Sequence, residues 1–134
     1  MCEDPHMDTA DWWYTLRIPA QPWMISLVRS SLRLVLTQHG RLDLADTACL
    51  LATELVTNGV VHAKSPVTVY LSCRSRTLRV DVHDTSPEGP ARRSAGCEDE
   101  SGRGLTLIDS CATAWGGDPG GAGGRGKAVW FTLT

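Results

Sequence analysis

Glu54-Leu55-Val56-Thr57-Asn58-Gly59-Val60-Val61-His62-Ala63 sets a carboxylate and an amide into an otherwise apolar stretch with helical periodicity. Glu54 and Asn58 are four residues apart, so on a helix they share one face at about 5–6 Å. At about 100° per residue Thr47 falls in the same narrow wedge. Leu44, Ala48, Leu51, Ala52, Leu55, Val56 and Gly59 spread over much of the remaining circumference. Polar groups flanked by so much apolar surface cost free energy unless they find partners. The pair therefore asks for a ligand, and a hard cation such as Mg²⁺ suits oxygen donors of this kind. Taken alone, the same pattern also suits an ordinary amphipathic helix with both residues at its solvent edge.

The flanking sequence supplies the rest of a small α/β domain. Trp12-Trp13-Tyr14-Thr15-Leu16-Arg17-Ile18 is aromatic and β-prone, stopped by Pro19. Pro22 to His39 predicts a helix with apolar residues recurring at Trp23, Leu27, Leu34 and Val35, closed by Gly40 as a C-cap. Asp43 is the expected N-cap of a second helix that runs to about Ala63, where Ser65-Pro66 ends it. Val67, Val69, Leu71 and Cys73 alternate with polar residues, and Leu78, Val80 and Val82 do the same, so Arg74-Ser75-Arg76-Thr77 reads as a hairpin connection. Asp84 keeps the parity of Leu78, Val80 and Val82. It therefore points to the core face just where its strand ends, although an Asp there also suits a plain turn.

Residues 85–101 lack periodicity and have the length of a lid or binding segment. Gly102 to about Ala114 predicts a third helix with Leu105, Ile108 and Cys111 or Ala112 inward, and Asp118 to Gly124 reads as a flexible hairpin tip. A last strand places Val129, Phe131 and Leu133 on one face and Trp130 on the other. The expected fold is a two-layer α/β sandwich: three helices on one face of a mixed, mostly antiparallel sheet. The expected organisation is a disordered tail over residues 1–11 and one domain over 12–134.

Composition narrows the function. At 134 residues the chain is one domain with room for a core, and 42% of it is hydrophobic. A formal net charge of −2 gives no electrostatic case for nucleic acid or an acidic membrane surface. Cys2, Cys49, Cys73, Cys97 and Cys111 are odd in number and widely spaced, which argues against a disulfide framework or a zinc site. The expectation is free thiols, no membrane span, no signal peptide and a cytoplasmic location.

Four segments in order now carry a resemblance. They are Glu54 to Ala63, then Val80-Asp81-Val82-His83-Asp84, then Gly102-Arg103-Gly104-Leu105-Thr106-Leu107-Ile108, and last Lys127-Ala128-Val129-Trp130-Phe131. Together they resemble the four boxes of the histidine-kinase-like ATPase superfamily, whose members share the Bergerat nucleotide-binding fold. The resemblance covers the chain from about Trp12 to its end. It is nearest to the small anti-sigma factor branch, the serine kinases that hold sigma factors and phosphorylate anti-anti-sigma proteins.

The resemblance implies ATP and Mg²⁺ as cofactors and Glu54 as the catalytic base. It implies Asn58 as the Mg²⁺ ligand and Asp84 as acceptor for the adenine amino group. Gly102, Arg103, Gly104 and Leu105 would lie at the phosphates, at the start of a helix whose free N–H groups favour anions. Lys127 matches a lysine that the family often carries. The implied activity is a serine/threonine protein kinase acting on a small anti-anti-sigma partner, with a sigma factor as a second partner and homodimers common in the family. Two departures stand out. Asp84 is followed by Thr85-Ser86-Pro87-Glu88 where the family usually has glycines, and in the first box Gly59 replaces the commoner Ala and Val61 the frequent charged residue. The first leaves a second reading open, a non-catalytic nucleotide-sensing or sigma-factor-binding module.

Overall fold

The computed structural model describes residues 11–84, 106–118 and 127–134. Residues 1–10 of the expected tail over 1–11, the lid, the glycine pair with Arg103 and Leu105, and the hairpin tip beyond Asp118 lie outside the described residues. The described residues run β1 (Trp12–Ile18), α1 (Ile25–Gln38), α2 (Ala45–Thr57), β2 (Val67–Arg74), β3 (Thr77–Asp84), α3 (described over 106–111), β4 (Ala114–Asp118) and β5 (Lys127–Leu133). The five strands form one sheet in the order β1-β2-β3-β5-β4, with helices packed on one face. Each strand pairing is antiparallel, so the sheet is simpler than the mixed one expected. Its core face carries Val67, Val69, Leu71, Leu78, Val80, Val82, Phe131 and Leu133, all buried.

The inward face of α1 differs from the expected one. Val28, Leu32 and Leu36 are buried and Ile25 and Val35 pack beside them, whereas Trp23, Leu27 and Leu34 are 70%, 44% and 60% exposed. Val28, Leu32 and Leu36 recur every fourth residue and, with Ile25 and Val35, make one continuous stripe. Leu27 and Leu34 on α1, with Trp23 in the 3₁₀ turn (Pro22–Met24) before it, form a rival stripe, and contact with the sheet selects between them. Each buried aliphatic side chain contributes roughly 1.5–3 kcal/mol.

Gly40 does end α1 as expected, with φ 72°. Arg41 N–H donates to the Leu36 carbonyl at 2.8 Å and Gly40 N–H to that of Thr37 at 3.2 Å, the paired bonds of a Schellman close. Asp43 is not the cap of α2. A 3₁₀ turn (Leu42–Leu44) precedes that helix, and Leu44 holds the cap position without a side-chain bond. Arg41 has claimed the Asp43 carboxylate instead, at 3.2 and 3.4 Å. The Arg41 guanidinium is buried and also donates to the Arg76 carbonyl at 2.8 Å, tying this connection to the β2–β3 hairpin.

That hairpin turns on Ser75 and Arg76, both at positive φ (49° and 69°). Two such residues match the twist of antiparallel strands, at a steric cost for non-glycine side chains. Leu42–His62 is a continuous 21-residue helical run with mean hydropathy 1.3, long and apolar enough to cross a membrane, contrary to the expectation of no such stretch. Its apolar side chains serve the core, since 61% of the most apolar window is buried within the fold.

β4 has no counterpart in the sequence reading, which extended the third helix to Ala114. Two glycines in five residues give this segment little β-propensity of its own. Its pairing with β5 makes it a strand, and the Trp130 ring lies over Gly116, where an added Cβ would come within 2.8 Å of it. Within α3, Ile108 is buried and Cys111 exposed, with Ala112 just beyond packed on the core.

One titratable group couples β1 to α1. The His39 ring stacks on Trp12 at 4.3 Å, and its Nε2 lies 2.8 Å from the Tyr14 hydroxyl. Its Nδ1 is buried with no hydrogen-bond partner among the described residues. Burial holds the imidazole below its ordinary range, so the fold accepts the neutral ring. As pH falls below the unfolded value of about 6.5, the unfolded chain takes the proton first. Stability present above that pH is then lost as pH drops through the lower folded pKa. Thermal melts should show Tm falling between pH 7 and 5, and His39→Phe should flatten that slope; equal slopes in the two proteins would remove His39 from the account.

Candidate functional site

The core face of the sheet changes character along its last row. Ile18, Val67, Asp84 and Lys127 are successive cross-strand partners on β1, β2, β3 and β5. Ile18 and Val67 are fully buried, Asp84 is 5% exposed and Lys127 half-buried. The alternation of β3 carries Asp84 inward, as its parity with Leu78, Val80 and Val82 requires. A carboxylate held at the end of an apolar face is costly unless it serves an interaction there.

Over this row lies the end of the second helix. After Thr57 it continues as a single π turn, Asn58–His62, in which Ala63 N–H donates to the Asn58 carbonyl at 3.0 Å. Such turns occur frequently at functional sites. Ser65 N–H then donates to the Gly59 carbonyl at 3.1 Å, and Lys64 at φ 54° turns the chain out toward β2. Asn58 is 8% exposed, and Glu54, one turn earlier, is half-buried. A Cβ built on Gly59 would meet Val67 Cγ2 at 2.6 Å and Asp84 Cβ at 3.5 Å. The backbone beside Asn58 is thus pressed onto the strand ends that carry Asp84.

The structure therefore brings Asn58, Asp84 and Lys127 to one end of the sandwich, with Glu54 on the helix leading into it. Gly102, Arg103, Gly104 and Leu105 lie outside the described residues. His83 faces the outer side of the sheet, edge-on to Tyr70 at 4.9 Å. Sequence reasoning missed Gly59 and Val67, treating the glycine as a tolerated weakness in a helix. A glycine inside a helical pattern next to a polar residue was the available signal, since such positions usually have a packing reason.

The donor set can be read chemically. A buried carboxylate is an acceptor for an amine, and an amide oxygen is a ligand for a hard cation. Among the described residues no three His, Cys, Asp or Glu side chains gather to cage a metal. Asp84 and Asn58 therefore offer a carboxylate acceptor and an amide oxygen at one end of the sheet.

The architecture is an α/β sandwich with an acidic strand end beneath a polar helix end. The histidine kinase-like ATPase domain matches residues 18–132, from the last residue of β1 to the penultimate residue of β5. The chain belongs to this family, and so is an ATP-binding domain of the kinase-like ATPase type. No curated protein matches the chain significantly.

Proposed function

We propose that this protein is an ATP- and Mg²⁺-dependent serine/threonine protein kinase of the anti-sigma type, acting in the cytoplasm. Its substrate is a Ser or Thr on a small anti-anti-sigma protein, and a sigma factor is its second partner. The observation that carries this reading is the seating of the Asn58–Gly59 backbone against the strand end that presents buried Asp84. ATP supplies the phosphoryl group and Mg²⁺ the charge neutralisation that transfer needs.

The chain's own residues supply position and proton handling. Asp84 accepts a hydrogen bond from the adenine amino group, which selects and orients the base. Asn58 offers its side-chain oxygen to the cation. Glu54, one helical turn away, takes the proton of the substrate hydroxyl as that oxygen attacks. Gly102, Arg103 and Gly104, which lie outside the described residues, are assigned to the phosphates by the family resemblance alone. Lys127, beside Asp84 on the neighbouring strand, adds positive charge at the same end of the sheet.

The run Thr85-Ser86-Pro87 after Asp84 favours one competing reading, a module that binds nucleotide or a sigma factor without transfer. Pro87 fixes a backbone dihedral where glycines would leave the turn free. Incubation with labelled ATP, Mg²⁺ and candidate anti-anti-sigma domains separates the two. Label on a Ser or Thr of the partner is the expected result. Nucleotide binding without transfer to any partner would favour the module, and absence of nucleotide binding would sink the kinase and leave only the sigma-factor-binding form of the module.

A further inference from the structure

We infer that Gly59 is a positioning residue, whose missing Cβ sets the distance at which Asn58 stands from Asp84. This rests on the nucleotide reading of the site given above. Gly59 does not need glycine's conformational freedom, because it sits inside the π turn and its φ is not positive. Space is what it needs. An alanine there would bring its Cβ to 2.6 Å from Val67 Cγ2, where ordinary contact begins at 3.4 Å.

Val67 is badly placed to give way. It is fully buried, and its strand is paired on both sides, to Ile18 and to Asp84. Its branched side chain is also stiff about χ1. The helix end must therefore lift from the sheet, and Asn58, the preceding residue, lifts with it. Asp84, whose Cβ lies 3.5 Å from the same point, stays with the sheet. A glycine at an open helical site would behave otherwise, since alanine is the better helix former and would be neutral or stabilising there.

The test is a double-mutant cycle of Gly59→Ala and Val67→Ala, the second of which removes the methyl that makes the clash. ATP with MgCl₂ is titrated by calorimetry, with melting curves and amide NMR spectra recorded without nucleotide. Gly59→Ala should weaken ATP binding by about tenfold or more, equivalent to about 1.4 kcal/mol. It should also move the amide resonances of residues 58–62 relative to that of Asp84. Adding Val67→Ala should bring binding back to within about threefold of Val67→Ala alone and reverse those shifts.

Unchanged binding and spectra in Gly59→Ala would overturn the inference, as would a double variant no better than the single one. Should Gly59→Ala fail to fold, the double variant must fold and bind, and its failure counts against the inference equally. If the wild-type protein binds no ATP, the nucleotide reading falls, while the spectra of the cycle still decide whether Gly59 sets the spacing.

Discussion

Glu54→Ala should abolish phosphoryl transfer while leaving ATP binding close to the wild-type level. Glu54 lies one turn before the helix end that faces Asp84, so on the proposed reading it touches the reacting hydroxyl and not the adenine. Removing a general base costs typically 10²–10⁴-fold in rate. The side chain is half-buried and outside the apolar core, so truncation leaves the packing of α2 through Leu51, Leu55 and Val56 intact. The informative pattern is a split, with turnover lost and the calorimetric Kd for ATP moved by less than about threefold. Parallel loss of binding and transfer would mean that Glu54 anchors the nucleotide. Retained transfer would hand the proton to another group.

The alternating strands and the polar pair Glu54 and Asn58 near the end of the second helix were legible in the sequence because burial imposes strict periods on them. Val67 to Cys73 and Leu78 to Val82 face the core with period two, and that period carries Asp84 inward without any knowledge of the tertiary fold. Three features escaped. The face of α1 was ambiguous because Trp23, Leu27 and Leu34 compete with Val28, Leu32 and Leu36, and only the sheet decides. β4 was invisible because a five-residue strand with two glycines owes its existence to β5 and Trp130, not to local preference.

The third feature was the packing of Gly59 on Val67, a contact between residues on different elements. No spacing rule encodes it, although it ties the helix half of the site to the strand half. The capping error at Asp43 has the same origin. A local rule was overridden when Arg41, recruited by the hairpin carbonyl of Arg76, took the carboxylate.

Asp84→Asn should weaken ATP binding and, at the same time, relax the choice of base. The carboxylate is 5% exposed and sits at the end of β3 opposite Lys127, so on the proposed reading its hydrogen bond to the adenine amine is made away from bulk water. Hydrogen bonds to charged groups contribute about 1.5–3 kcal/mol. An amide keeps one acceptor oxygen but loses the charge, so the loss should fall within roughly 10- to 150-fold in Kd.

A nucleotide carrying a carbonyl in place of the adenine amine, such as ITP, makes the argument sharper. The wild-type carboxylate repels that carbonyl, whereas the Asn amide can turn its N–H₂ toward it and donate. The ratio of ITP to ATP affinity should therefore rise in the variant even as ATP affinity falls. A fold defect would lower both affinities together and leave the ratio unchanged. A melting curve near the wild-type Tm, a weaker ATP Kd and an unchanged ratio would show that Asp84 supports the site without reading the base.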